Sequence, residues 1–124
     1  MTQPTDLIGS TRSSLRSAAI GLAERSLREE DLSPTSIARG LNVSVRTLYR
    51  AFDGTGETLM GYVRRRRLEQ ARVDLISGHG HLTVSEISQR WRFADSSHFI
   101  RAFRQRYGTT PARISDALVG AGDP

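Results

Sequence analysis

The sequence predicts an all-α chain in which two helix-turn-helix modules are joined by one long linker helix, and three observations predict it. The stretch Glu57–Ile76 holds no Pro, and no Gly except Gly61, and carries apolar residues at helical spacing. At ~100° per residue, Leu59, Tyr62 and Val63 fall on one side of that helix and Leu68, Ala71 and Leu75 roughly 150° away. Such a change of face suits a connector whose first half packs on one small module and whose second half packs on another. The second observation is a repeat: Leu48-Tyr49-Arg50-Ala51-Phe52 returns as Phe99-Ile100-Arg101-Ala102-Phe103, 51 positions later, whereas Ile37 returns as Ile87, 50 positions later. The second turn is therefore one residue longer, and aligned core and aligned Arg make the pair stronger evidence than either half. The third is charge. Residues 39–113 hold fourteen Arg against six acids, while residues 1–38 hold four Arg against five acids and residues 114–124 only two acids.

In chain order, residues 1–12 are rich in Thr, Ser, Pro and Gly and read as a disordered leader or linker remnant. The first module is expected over 13–56. It opens with an amphipathic helix from Ser13 to Arg28, in which Leu15, Ala18, Ala19, Leu22, Ala23 and Leu27 recur at three and four. Ser33 is then an N-cap and Pro34 a first helical residue. A short helix carries Ile37, Ala38 and Leu41, a turn carries Gly40 and Asn42, and a second helix starts at Ser44 as N-cap and buries Leu48 and Phe52. The linker helix is assigned to 57–77. After a break at Gly78–Gly80 the second module runs over 78–118: Thr83 or Ser85 caps, with Glu86 three residues after Thr83 completing a capping box, Ile87 and Trp91 are inward, and the chain turns through Arg92-Phe93-Ala94. Asp95 or Ser96 then caps a helix burying Phe99, Phe103 and Tyr107. Gly108-Thr109-Thr110-Pro111 stops that helix, a last short one takes Ala112, Ile114 and Leu118, and 119–124 form a frayed tail.

The 124 residues suffice for one domain or two very small modules. A net charge of +5 and a pI of about 10.9 point to a polyanionic partner, nucleic acid or an anionic surface. All eighteen basic residues are Arg, which favours bidentate contacts to phosphate and guanine, although a compositional bias of the source genome explains the same count. The absence of Cys excludes disulfides and thiolate metal sites. No apolar run approaches the ~18 residues of a membrane span, and no signal core precedes the first helix. A cytoplasmic, nucleoid-associated protein with no metal, cofactor or membrane partner is the expectation.

In a helix-turn-helix the second helix enters the major groove of double-stranded DNA. With Leu48 and Phe52 inward, its first turn and outward face present Ser44, Val45, Arg46, Tyr49 and Arg50. With Phe99 and Phe103 inward, the second module presents Ser96, Ser97, Ile100, Arg101 and Arg104. Guanidinium groups suit guanine O6 and N7, and the small or apolar groups suit thymine methyls. A twenty-residue connector is ~30 Å long, close to the ~34 Å between successive major-groove openings on one face of B-DNA. The run Arg64–Arg67 points in four directions, with Arg67, next to inward Leu68, the first choice for pairing with a carboxylate or capping carbonyls.

The residues Ile37-Ala38, Leu41-Asn42-Val43-Ser44, Arg46 to Phe52, Gly56, Tyr62, Arg67-Leu68, Ala71, Glu86-Ile87, Phe93, Asp95, Ser97, Phe99, Arg101, Phe103, Tyr107-Gly108 and Pro111 resemble the DNA-binding domain of AraC/XylS-type transcription activators over about Leu32 to Ile114. The resemblance implies two helix-turn-helix modules on a linker helix, an activator that contacts RNA polymerase, and a separate domain that binds the effector. Two positions depart from the family pattern. Arg92 stands where Gly precedes the aromatic of the second turn, so either a non-Gly residue is strained at positive φ or the turn differs. Ser88 stands where Ala follows Ile87; it is small enough to fit and can bond back to its own helix.

Two other classes compete. An enzyme would have to draw on His79, His81 or His98 with Asp95, Ser96 and Ser97, but His79 and His81 lie in a Gly-containing loop without a nearby carboxylate, and His98 neighbours an inward Phe. A helical protein-interaction module explains the helices but neither the repeated Arg nor the segregated charge.

Overall fold

The computed structural model describes residues 4–77 and 82–122. Among them every regular element is an α-helix: α1 Pro4–Arg25, α2 Pro34–Gly40, α3 Val45–Arg50, α4 Leu59–Ile76, α5 Val84–Arg90, α6 Ser96–Tyr107 and α7 Pro111–Gly122. The chain divides into two compact units, Met1–Arg64 and Arg65–Pro124, and the division falls inside α4. The expected break at Gly78–Gly80, with His79 and His81, lies outside the described residues.

Both ends of the first helix and the end of the last differ from expectation. The helix expected from Ser13 to Arg28 runs from Pro4 to Arg25, so residues 4–12, expected as a disordered leader, are helical. Pro4 suits a first turn because its missing N–H would be unpaired there, and extending a helix already anchored by the buried Ala19 and Ala23 costs little per residue. The last helix likewise runs to Gly122, past the Leu118 at which the frayed tail was expected to follow.

In the first unit, Ala19, Ala23, Leu27, Leu32, Ile37, Ala38, Leu48, Phe52, Leu59 and Val63 are buried. Ala18, expected inward, is exposed: the buried stripe of α1 is turned toward Arg16, whose guanidinium donates to the carbonyl of Ala51 at 3.1 Å. Tyr62 of α4 donates its hydroxyl to the carboxylate of Glu24 on α1. Helices α1 and α2 approach so closely at Gly40 that a Cβ there would lie 2.9 Å from Leu22 Cδ2.

In the second unit, Leu68, Ala71 and Leu75 of α4 are buried together with Ile87, Trp91, Phe99, Ala102 and Phe103. A ladder of tilted rings runs through it, Phe93–Phe99 at 5.0 Å, Phe99–Phe103 at 5.7 Å and Phe103–Tyr107 at 4.7 Å between centroids. Asp74, buried on α4, accepts from Trp91 Nε1 at 2.7 Å, and Arg90 Nε lies 3.6 Å from the same oxygen. The change of face along α4 is thus real: Leu59 and Val63 serve one core, Leu68, Ala71 and Leu75 the other.

Candidate nucleic-acid interface

Both modules close their turns in the same way. After α2, Asn42 adopts φ 56° and donates to the Arg39 carbonyl at 3.1 Å, while Val43 donates to the Ala38 carbonyl at 3.0 Å. After α5, Arg92 adopts φ 62° and donates to Gln89 at 3.1 Å, while Phe93 donates to Ser88 at 3.0 Å. Each is a Schellman closure, with a left-handed residue one position past the cap. The turn does need positive φ, so Arg92 holds a conformation that costs a side-chain-bearing residue ~1–2 kcal/mol. Asn42 meets the same demand more easily, because a short polar side chain tolerates it. Ser88 is fully buried and donates its hydroxyl to the Asp95 carbonyl at 3.3 Å. It ties α5 forward to the N-cap of α6, in place of the bond back along its own helix that a serine there can also form.

The helices that follow are started by side chains. Ser44 Oγ accepts from Thr47 N–H at 3.0 Å and donates to Thr47 Oγ1 at 2.9 Å. Asp95, rather than Ser96, caps α6, accepting from the His98 N–H at 2.7 Å. The caps of α2 and α5 are full capping boxes, Ser33 with Ser36 and Thr83 with Glu86. Asp95 thus takes the backbone N–H of His98 and not its imidazole, whose Nδ1 is buried without a hydrogen-bond partner beside Phe93, 6.1 Å between ring centroids. Among the described residues no group of His, Cys, Asp and Glu is arranged to hold a metal.

With Leu48 fully buried, α3 exposes Arg46, Tyr49 and Arg50 and half-buries Val45; with Phe99 and Phe103 fully buried, α6 exposes Ser97, Arg101 and Arg104 and half-buries Ser96 and Ile100. The repeat of 51 positions pairs the two faces: Val45 with Ser96, Arg46 with Ser97, Tyr49 with Ile100 and Arg50 with Arg101. Ser44 is exposed as well, but its hydroxyl is committed to the cap. Arg46, Arg50, Arg101 and Arg104 form no hydrogen bond or ion pair among the described residues, so their donors face solvent.

Other arginines are held by the protein. Arg65 at 3.0 Å, Arg66, and Arg106 at 3.2 Å donate to the carboxylate of Glu69. Burial raises the Glu69 pKa, but the hydrogen bonds from Arg66 and Arg65 and their charges outweigh it and hold the carboxyl below its usual range. Arg67 was the expected anchor of the Arg64–Arg67 run. It is half-buried, and desolvation, then the positive charge of Arg92, lowers its pKa.

Residues 37–117, well over half the chain, match the model of a helix-turn-helix domain family. The transcriptional activator NphR of a Rhodococcus species is 34% identical over 100 residues, 79% of this chain and 29% of that protein. The transcriptional activator RhrA of Rhizobium meliloti is 35% identical over 92 residues, 73% of this chain and 29% of that protein. The chain spans 29–32% of the length of these and similar curated relatives. A solved transcriptional regulator of Chromobacterium violaceum, described as containing an AraC-type DNA-binding domain, is 25% identical with a TM-score of 0.75, over 91% of this chain and 99% of that one. The matched residues take in both capped turns, both exposed helix faces and the whole of α4, and the chain belongs to the AraC/XylS-type family of helix-turn-helix DNA-binding domains.

Proposed function

We propose that the chain is the sequence-reading segment of a transcription activator, in which α3 and α6 each enter the major groove of double-stranded DNA and read two successive segments. The observation that carries this is the pair Arg50 and Arg101: equivalent positions in the repeat, both exposed, both without a partner among the described residues. A guanidinium on the outward face of a groove-entering helix can donate twice to guanine O6 and N7. Val45, which precedes Arg46 on α3, and Ile100, which precedes Arg101 on α6, are apolar and half-buried, suited to thymine methyls. The activator reading is supported by the names of the relatives, and with it come contact with RNA polymerase, association with the nucleoid and an effector bound outside this segment.

The test is binding to labelled duplexes across a salt series. A DNA reader loses log affinity linearly with log salt and prefers one sequence over its scrambled counterpart at every salt concentration. A helical interaction module would show neither. Binding that follows salt without any sequence preference would refute base reading by α3 and α6.

A further inference from the structure

The guanidinium groups of the second unit fall into two sets. Arg65, Arg66 and Arg106 are bound to Glu69, Arg90 faces Asp74, Arg72 lies 5.3 Å above the centre of the Tyr107 ring, and Arg67 and Arg92 have partners of their own. Among the described residues Arg101, Arg104 and Arg113 have none. Arg101 belongs to the reading face. Arg104 near the end of α6 and Arg113 in the first turn of α7 instead line one concavity of about 290 Å³, completed by Gly108, Thr109 and Thr110.

The chemistry of that wall is one-sided. It contains two permanent cations and two hydroxyls, with no carboxylate and no aromatic ring. Two guanidinium groups on one concavity repel each other, and a single anion placed between them converts that repulsion into two charge-assisted hydrogen bonds. Thr110 Oγ1 accepts from the Arg113 N–H at 3.3 Å, which leaves its own hydrogen free to donate. Gly108, at φ 73°, ends α6 with its N–H on the Arg104 carbonyl at 2.8 Å, bringing the end of α6 to the start of α7. A larger concavity of about 530 Å³ in the first unit is lined by Tyr49, Phe52 and Met60 with Asp53 and Glu57, and its carboxylates would repel a phosphate.

We infer that the Arg104–Arg113 concavity seats one phosphate of the DNA backbone. Arg113, outside the reading face, is then a positioning residue, and Arg104, expected among the base readers, fixes the register of α6 without reading a base. The inference rests on the DNA-binding reading above and adds to it a sequence-independent contact.

The test uses the full chain with Arg113→Gln, Arg113→Lys and Arg104→Gln, a preferred duplex and its scrambled counterpart. Each Gln variant should reduce the slope of log affinity against log salt by about one, so that its deficit relative to wild type shrinks about fourfold between 50 and 200 mM salt. The deficit should be the same on both duplexes, and Arg113→Lys should restore the slope. A duplex with a neutral methylphosphonate at the seated position should bind wild type and Arg113→Gln equally. An unchanged slope in a folded Arg113→Gln variant would overturn the phosphate seat, as would a base preference altered by Arg104→Gln. A wild-type chain that binds all duplexes alike would sink base reading but leave the seat to be judged from the same slopes.

Discussion

Replacing Arg92 by Gly should stabilise the second unit, because the turn after α5 demands a left-handed residue and carries one with a side chain. Arg92 stands at φ 62° with both closing hydrogen bonds formed, so the backbone holds this conformation against a penalty of ~1–2 kcal/mol. Glycine removes the penalty but restores backbone freedom to the unfolded chain, worth ~0.5–1 kcal/mol. Arg92→Ala is the informative control: it deletes the same charge and the same side-chain contacts and keeps the Cβ. The Gly variant should therefore exceed the Ala variant by about 1 kcal/mol, a rise of ~4–8 °C in Tm for a unit of this size. Asn42→Gly, at the matching position of the first unit, should gain less. Trp91 is the one tryptophan of the chain, adjacent to Arg92, so its fluorescence during urea unfolding reports the second unit. Equal stability of the Gly and Ala variants would refute the strain argument and assign any change to the lost guanidinium.

Other substitutions test the packing and the electrostatics. Leu48→Ala and Phe103→Ala remove fully buried side chains and should each cost ~2–5 kcal/mol by denaturant unfolding; wild-type stability in either would remove the register from which the outward faces are assigned. Asp74→Ala leaves the buried Trp91 N–H without its acceptor and should cost ~1–3 kcal/mol, accompanied by a shift of the tryptophan emission. Glu69 has a folded-state pKa below its unfolded value, so its contribution is present above the unfolded pKa and lost as pH falls through the folded one. Stability of wild type should therefore fall as pH drops below the ordinary glutamate range, and Glu69→Gln should flatten that fall; an unaltered acid limb would mean that the arginines gathered on Glu69 contribute nothing.

What could be read from the sequence was local or repeated. Ser33, Ser44, Thr83 and Asp95 announce helix starts because capping is decided within three residues of the cap. The inward and outward faces of α3 and α6 followed from the repeat, since two copies offset by 51 positions constrain one register. The change of face along α4 was legible because Leu59 and Val63 fall out of phase with Leu68, Ala71 and Leu75. The contacts that escaped were non-local. Nothing near Arg16 indicates that it holds the Ala51 carbonyl, nothing near Asp74 indicates Trp91, and Ser88 reaches Asp95 across a turn whose length had to be known first. Arg113 escaped for a similar reason: its role depends on where α6 ends and α7 begins. The early start of α1 was hidden because Gly9, Ser10 and Thr11 look unfavourable singly, whereas a helix is extended cooperatively.

Selection of bound sequences from a pool of random duplexes, carried out in parallel with wild type, Arg50→Ala and Arg101→Ala, tests most directly that one chain carries two independent readers. Wild type should select two motifs. Arg50→Ala should blur one or two base pairs of the first motif and leave the second intact, Arg101→Ala should do the reverse, and each should cost ~1–3 kcal/mol on the wild-type site. Two variants that select the wild-type motifs with uniformly weaker binding would show that Arg50 and Arg101 touch phosphates, and would contradict the account.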